Sequence, residues 1–301
     1  MRARFRCWLL AAAVWAAPAA AAETLRIATY NPENYGPADR MTEAGYRRDY
    51  PKPEAEKAAL REVIRGLAAD VLVLQEIGGA AYLEELRRDL RAEGCDYPFA
   101  ATAEAADPER RIAILARREL RAVVTHTDLD FPYFGRRETV KRGLLEATVA
   151  APGGDVTLFA VHLKSRFTAR PDDPGSALRR AGEAAAVRDR VLRRFPDPAA
   201  ARFLILGDCN DGRTSRPLAA LQRRGKTEIA VLLGGGDSRG ETWTHSFRRE
   251  ETYSRVDHIL VSPGLRPAVQ GGGLAIYDGD EVRAASDHRP VYVVLAAAAA
   301  R

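Results

Sequence analysis

The side chains with chemistry to offer stand at the ends of apolar runs. LRIATY (25–30) leads into Asn31 and Glu33, VLVLQ (71–75) into Glu76, TLFAV (157–161) into His162 and Lys164, and FLILG (203–207) into Asp208 and Asn210. Asp257 opens the run VDHILV, and Asp287 and His288 stand just before PVYVVL. Glu76, Asn31, Asp208 and Asp287 offer hard oxygen ligands, which suit magnesium, manganese or calcium and not zinc. His162, Lys164 and Asn210 can donate to phosphate oxygens, and a histidine beside a carboxylate can move a proton near neutral pH. Together these are the parts of metal-assisted phosphoester hydrolysis. Taken singly, each has a plainer reading, since Asp and Asn at a strand end are ordinary turn formers. One shared site accounts for all of them; the plainer account needs a separate reason for each.

Other chemistries fall away. No G-x-S-x-G elbow presents Ser165, Ser254 or Ser286 as a nucleophile. Neither Cys95 nor Cys209 has His or Cys neighbours at zinc spacing. His126, His245 and His258 lie in no carboxylate motif and read as structural histidines.

Elements must bring these groups to one rim. Strands are expected at 25–30, 71–75, 111–116, 144–149, 156–162, 203–207, 256–261 and 290–295, because each is a short apolar run bounded by turn formers. APGGD between two of them makes a tight antiparallel hairpin. Helices are expected over 53–69, with Leu60, Val63, Ile64 and Leu67 on one face, over 79–92, and over 176–194, capped by Ser176 and lined by Leu178, Ala181, Ala185 and Leu192. Four polar groups end their strands while Asp257 and Asp287 begin theirs. The last two strands must therefore run opposite to the other four, which calls for mixed sheets in an α/β chain.

The chain begins MRARFRCWLLAAAVWAAPAAAAET: Arg2, Arg4 and Arg6, an apolar stretch from Cys7 to Ala17, then Pro18 and small residues. This is the layout of a signal peptide, with an apolar core too short to span a bilayer permanently. Residues 1–22 are expected to be cleaved and the product secreted or periplasmic. Without those arginines the formal charge falls from +5 to +2, short of the basic excess of a dedicated nucleic-acid binder. Cys95 and Cys209 are too few for a disulfide scaffold and are expected as free thiols. No linker or repeat divides residues 23–301, which read as one domain. The alanines from Ala296 to Ala300 read as a ragged end of the last strand.

The stretches ATYNPENYG, VLVLQEIG, RIAILARREL, FAVHLKSR, ILGDCND, TYSRVDHILVS and ASDHRPV, in this order from residue 25 to 295, resemble the endonuclease/exonuclease/phosphatase superfamily of metal-dependent phosphoesterases. The resemblance implies a four-layer α/β/β/α sandwich, two mixed sheets flanked by helices, with the site at one rim. It implies that Glu76 is the principal metal ligand, helped by Asn31, Glu33 and, through water, Asp287, with Mg2+, Mn2+ or Ca2+ as the ion. Asp208 resembles the residue that orients or deprotonates the attacking water, with Asn210 beside it on the phosphate. His162 and His288 resemble the phosphate-facing histidines, Asp257 the carboxylate paired with His288, and Lys164 takes its place from HLKS. Two departures stand out. Cys209 replaces a bulkier residue and should point into the core, and Pro32 stiffens the Asn31 loop.

The leading expectation is an exported metal-dependent phosphodiesterase, a nuclease acting on nucleic acid as a monomer. Alternatives are a sphingomyelinase-like phospholipase C, an inositol-phosphate phosphatase, or a binding module of the same fold that has lost catalysis. No obvious apolar hairpin or amphipathic segment for a bilayer is visible, and no stable membrane insertion is expected. The basic loop FGRRETVKRG (134–143), with Arg136, Arg137, Lys141 and Arg142, is a candidate grip on phosphates beside the scissile one, with Arg136 and Arg137 as its substrate contacts.

Overall fold

The computed structural model describes residues 23–297 apart from 43 and 169; the expected leader and the end of the alanine tail lie outside them. Two six-stranded sheets form the centre. In the first, Thr24–Tyr30 and Val71–Ile77 run parallel, flanked by antiparallel Val291–Ala296 and Arg111–Ala116. In the second, Val156–His162 and Phe203–Asp208 run parallel, flanked by antiparallel Asp257–Val261 and Leu144–Val149. The last two expected strands do run against the central pairs.

Each strand alternates between two cores, because successive side chains leave opposite faces. Leu25 and Ile27 of the first sheet meet Leu158, Ala160, Leu204 and Leu206 of the second between the sheets. Ala28, Tyr30, Leu72 and Leu74 face outward onto helices α1 (Glu54–Leu67) and α2 (Ala80–Ala92). Phe159, Val161, Phe203 and Ile205 face outward onto α3 (Ala177–Arg194) and α4 (Arg216–Gln222). Burial on both faces is why these strands read as unbroken apolar runs. The result is the α/β/β/α sandwich. Cys209 is fully buried among the α3 side residues, and both Cys95 and Cys209 are free thiols. Gly207 cannot be another residue: its φ is +142° and a Cβ there would meet the Val161 carbonyl oxygen at 1.9 Å.

Three local expectations need correcting. Ser176 does not cap α3; its hydroxyl donates to the Phe167 carbonyl, and Asp173 accepts from the amides of Leu178 and Arg179 instead. The buried face of α3 is Arg180, Glu183, Ala184, Val187 and Val191, while Leu178 is exposed. Two charged residues occupy that face, so the apolar count pointed to the wrong side. Short ribbons also went unseen: Ala38–Thr42 with Gly45–Tyr50, Asp130–Tyr133 with Arg136–Thr139, and His245–Phe247 with Thr252–Ser254. The first leaves Met41 and Tyr46 exposed, an apolar hairpin end that the sequence did not reveal. A two-stranded ribbon has little core to face, so alternation barely marks it.

Candidate active site

The inner-facing positions, apolar through the middle of the sandwich, turn polar at one rim. Leu158 and Ala160 are followed by His162, Leu204 and Leu206 by Asp208, and Val261 and Ile259 are preceded by Asp257. Asn31 and Glu76 arrive from the first sheet. Glu76 sits where the register between Leu74 and Ile77 shifts, and its φ of +54° re-aims the side chain. Glu33, Asn34 and Asn210 share this left-handed backbone at φ of 54°, 53° and 52°. Such conformations cost about 1–3 kcal/mol each and concentrate at functional sites.

Asp208 is the hub. Its Oδ2 accepts from Asn31 Nδ2 at 3.2 Å and from Asn210 Nδ2 at 3.1 Å, and its Oδ1 accepts from the Asn210 amide at 2.8 Å. His162 Nε2 lies 3.6 Å from Asp208 Oδ2 and 3.8 Å from Glu76 Oε1. His288 Nδ1 is 2.8 Å from Asp257 Oδ2, and its Nε2 points back to Asp208 at 4.0 Å and Asp287 at 3.9 Å. Glu76 Oε2 accepts from the Asn34 amide, and Glu33 Oε2 from the Asp287 amide at 3.1 Å. Ser286 ties the two ends of the chain together, donating to the Asn31 carbonyl at 2.8 Å and accepting from the His288 amide at 3.0 Å.

The electrostatics follow from burial. Desolvation raises the Asp208 carboxyl to about 7; His288 opposes the rise, and Asp257 and Glu76 add to it. Burial pushes His162 well below the usual imidazole range, with Arg142 and His288 nearby, so the ring is neutral. Burial acts the same way on His288, but the carboxylates of Asp257, Asp287 and Asp208 prevail and hold it well above that range. Glu33 is raised by burial and by Asp287.

A cation suits this rim. Glu33, Glu76, Asp208, Asp257 and Asp287 gather in one partly buried place, and the buried Oδ1 atoms of Asp257 and Asp287 have no hydrogen-bond partner among the described residues. Two acid and imidazole groups, Asp208/Asp257/His288 and His245/Asp287/His288, have ligand atoms within 4.8 Å of one another. Both contain His288, whose Nδ1 is engaged by Asp257 at 2.8 Å and whose nitrogen is a softer ligand than magnesium or calcium prefers. The oxygen set of Asn31, Glu33, Glu76 and Asp287 therefore fits a hard divalent ion better.

The remaining candidates lie elsewhere. Lys164 Nζ turns to its own loop, donating to Ser165 Oγ at 2.9 Å and the Phe167 carbonyl at 2.6 Å. Arg136 and Arg137 are not brought into the cluster; they sit exposed on a ribbon, paired with Glu138 and Asp130 respectively. Arg142 is buried, bonded to Asp107 and to the Leu163 carbonyl, and is no part of a solvated grip. His245, which reads as a structural histidine in the sequence, lies 3.4 Å from Asp287 with its ring 4.6 Å from that of His288. Only the pairing of the His245–Phe247 strand with the rim reveals it. His126 likewise meets a carboxylate, Glu146, at 2.8 Å.

The Endonuclease/Exonuclease/phosphatase family matches residues 36–288, most of the chain. The chain belongs to that family. Its members are metal-dependent phosphoesterases, and as an Endonuclease/Exonuclease/phosphatase protein this chain is a phosphoric ester hydrolase. Among solved structures, sphingomyelinase C from Streptomyces griseocarneus is similar at 16% identity and a TM-score of 0.62, over 91% of this chain and 99% of that one. Truncated Caenorhabditis elegans TDP2 is similar at 14% and 0.60, over 91% and 98%. The human nocturnin catalytic domain with bound sulfate is similar at 13% and 0.60, over 90% and 93%. At these identities the likeness is one of fold. No curated protein sequence matches the chain significantly.

Proposed function

We propose that the protein is an exported, divalent-cation-dependent phosphodiesterase that cleaves nucleic acid by in-line attack of water. The observation that carries the reading is the convergence of His162, Asp208, Asn210 and the Asp257-held His288 around one rim. Asp208 orients the water and takes its proton as the oxygen attacks phosphorus; the bond to the leaving alcohol breaks, and that oxygen is protonated from solvent. His162 donates to the phosphate oxygens, Asn210 holds Asp208 with an amide whose two hydrogens go to that carboxylate and to the Leu163 carbonyl, and the His288 imidazolium faces the charge that develops on the phosphate. Glu76 with Asn31, Glu33 and Asp287 would hold magnesium, or manganese in its place, and the ion when bound neutralises phosphate charge and polarises the ester. Export rests on residues 1–22, and mature protein should begin near Glu23 by N-terminal sequencing; recovery of Met1 from native protein would overturn it.

Nucleic acid is favoured over a sphingolipid by the arginine-bearing rim around Arg248 and Arg283. The test is a panel of plasmid DNA, RNA, sphingomyelin, inositol phosphates and bis-p-nitrophenyl phosphate with magnesium, manganese, calcium or EDTA. DNA or RNA should be cut with magnesium or manganese and spared in EDTA. Full activity in EDTA removes the metal role, and sphingomyelin as the better substrate removes the nuclease.

A further inference from the structure

The His245–Phe247/Thr252–Ser254 ribbon is joined directly to the catalytic rim. The Ser246 amide donates to the Asp287 carbonyl at 2.9 Å, and His245 bridges to His288. Side chains two residues apart share a strand face. Phe247 thus lies on the face that brings His245 to Asp287, yet it is 41% exposed. Beside it opens a cleft of about 580 Å³ whose walls include Phe247, Arg248, Glu251, Tyr253 and Arg283, within the roughly 300–1,000 Å³ of small-ligand sites. Arg248 is fixed at the wall by donating to the Arg283 carbonyl at 2.6 Å. By contrast, the cleft of about 610 Å³ between Gly234–Gly235 and Gln270–Ala275 presents no charged side chain.

An exposed aromatic face beside arginines matches the stacking-plus-phosphate pattern of single-strand recognition. Two arginines against one carboxylate make a quaternary ammonium headgroup a poor occupant. We infer that this cleft is a base-stacking subsite, in which Phe247 receives an unpaired nucleobase next to the scissile phosphate while Arg248 and Arg283 face the flanking phosphate. The inference rests on the nuclease reading.

The experiment uses single-stranded oligonucleotides, DNA and RNA, carrying one 2-aminopurine whose fluorescence falls on stacking. Binding to Asp208→Asn protein should quench the probe; Asp208→Asn/Phe247→Ala should lose the quench, and Asp208→Asn/Phe247→Tyr should keep it. With Asp208 intact, Phe247→Ala should raise KM for the same strand on the order of tenfold, since stacking contributes about 1–3 kcal/mol per base. If the strand is cut but Phe247→Ala leaves both quench and KM unchanged, the subsite falls and the nuclease reading stands. If the intact protein hydrolyses bis-p-nitrophenyl phosphate yet neither binds nor cuts a strand, the nuclease reading fails and takes the subsite with it. Loss confined to sphingomyelin hydrolysis would give the cleft to a lipid and overturn the assignment.

Discussion

Asp208 is buried to 1% exposure, touches Asn31 and Asn210, and faces the two histidines. A carboxyl raised to about 7 holds and releases a proton near neutral pH, which is what a general base needs. Asp208→Asn keeps the shape and removes the proposed base, so kcat on bis-p-nitrophenyl phosphate should fall by roughly 10²- to 10⁴-fold. Asp257→Asn should act through His288, whose raised protonation depends on that carboxylate, and should lower kcat with little change in KM. Activity within fivefold of the parent in Asp208→Asn would remove the residue from the base role. The positions of Asp208, His162 and Asp257 were legible because strand alternation carries an inner-facing apolar series straight to them. His245 was not, because its approach to Asp287 spans a chain reversal that no local pattern announces. Nor were Lys164 and the arginines of 136–137: a basic side chain in the sequence does not tell which carboxylate will claim it.

Helix α3 shows what a buried charge does for an element. Arg180, 3% exposed, donates from Nε to Asp211 Oδ2 at 2.9 Å and from one guanidinium nitrogen to the Lys164 and Gly175 carbonyls. It thereby ties together the chain just past His162 and just past Asn210, the exits of the two parallel strands. Arg180→Ala leaves half-buried Asp211 with only the more distant Arg166, at 3.9 Å, as a cationic partner and strips the Lys164 and Gly175 carbonyls of a donor, and should destabilise the fold by about 1–3 kcal/mol. Arg180→Lys keeps the charge but not the fork and should fall between the two in urea unfolding. An Arg180→Ala protein as stable and as active as the parent would show that the strand exits need no clamp. The helix itself was legible from its length and spacing. Its buried face was not, because Arg180 and Glu183 lie on it and hydrophobic periodicity ignores them. Phe131 packs so closely on α3 that a Cβ at Gly182 would meet its ring at 2.2 Å; the ribbon bearing Arg136 and Arg137 is thus a cover for the helix, a role hidden while only its charges were visible.

At the scale of the whole molecule, each sheet repeats one plan: a parallel pair with a helical crossover, α1 or α3, flanked by antiparallel strands. The two plans meet with their polar strand ends on the same rim, the first sheet giving Asn31, Glu76 and Asp287 and the second His162, Asp208 and Asp257. The sequence shows no repeat, because packing constrains the pattern of apolar positions and leaves their identities free. A hard cation held on that rim binds the folded state and relieves the mutual repulsion of its carboxylates, so it must raise stability by mass action. At a hundred times its Kd the gain is about 2.7 kcal/mol, or a Tm rise of roughly 5 °C for a domain of this size. Because the site joins both sheets, one unfolding transition should move as a unit with magnesium or manganese. Glu76→Gln should remove most of the shift while leaving the EDTA baseline equal or higher, since it deletes one of the crowded charges. Calorimetry decides it. Two transitions of which only one responds would mean that the sheets unfold separately, and an unchanged Tm from EDTA to millimolar metal would mean that the oxygen set does not hold the ion.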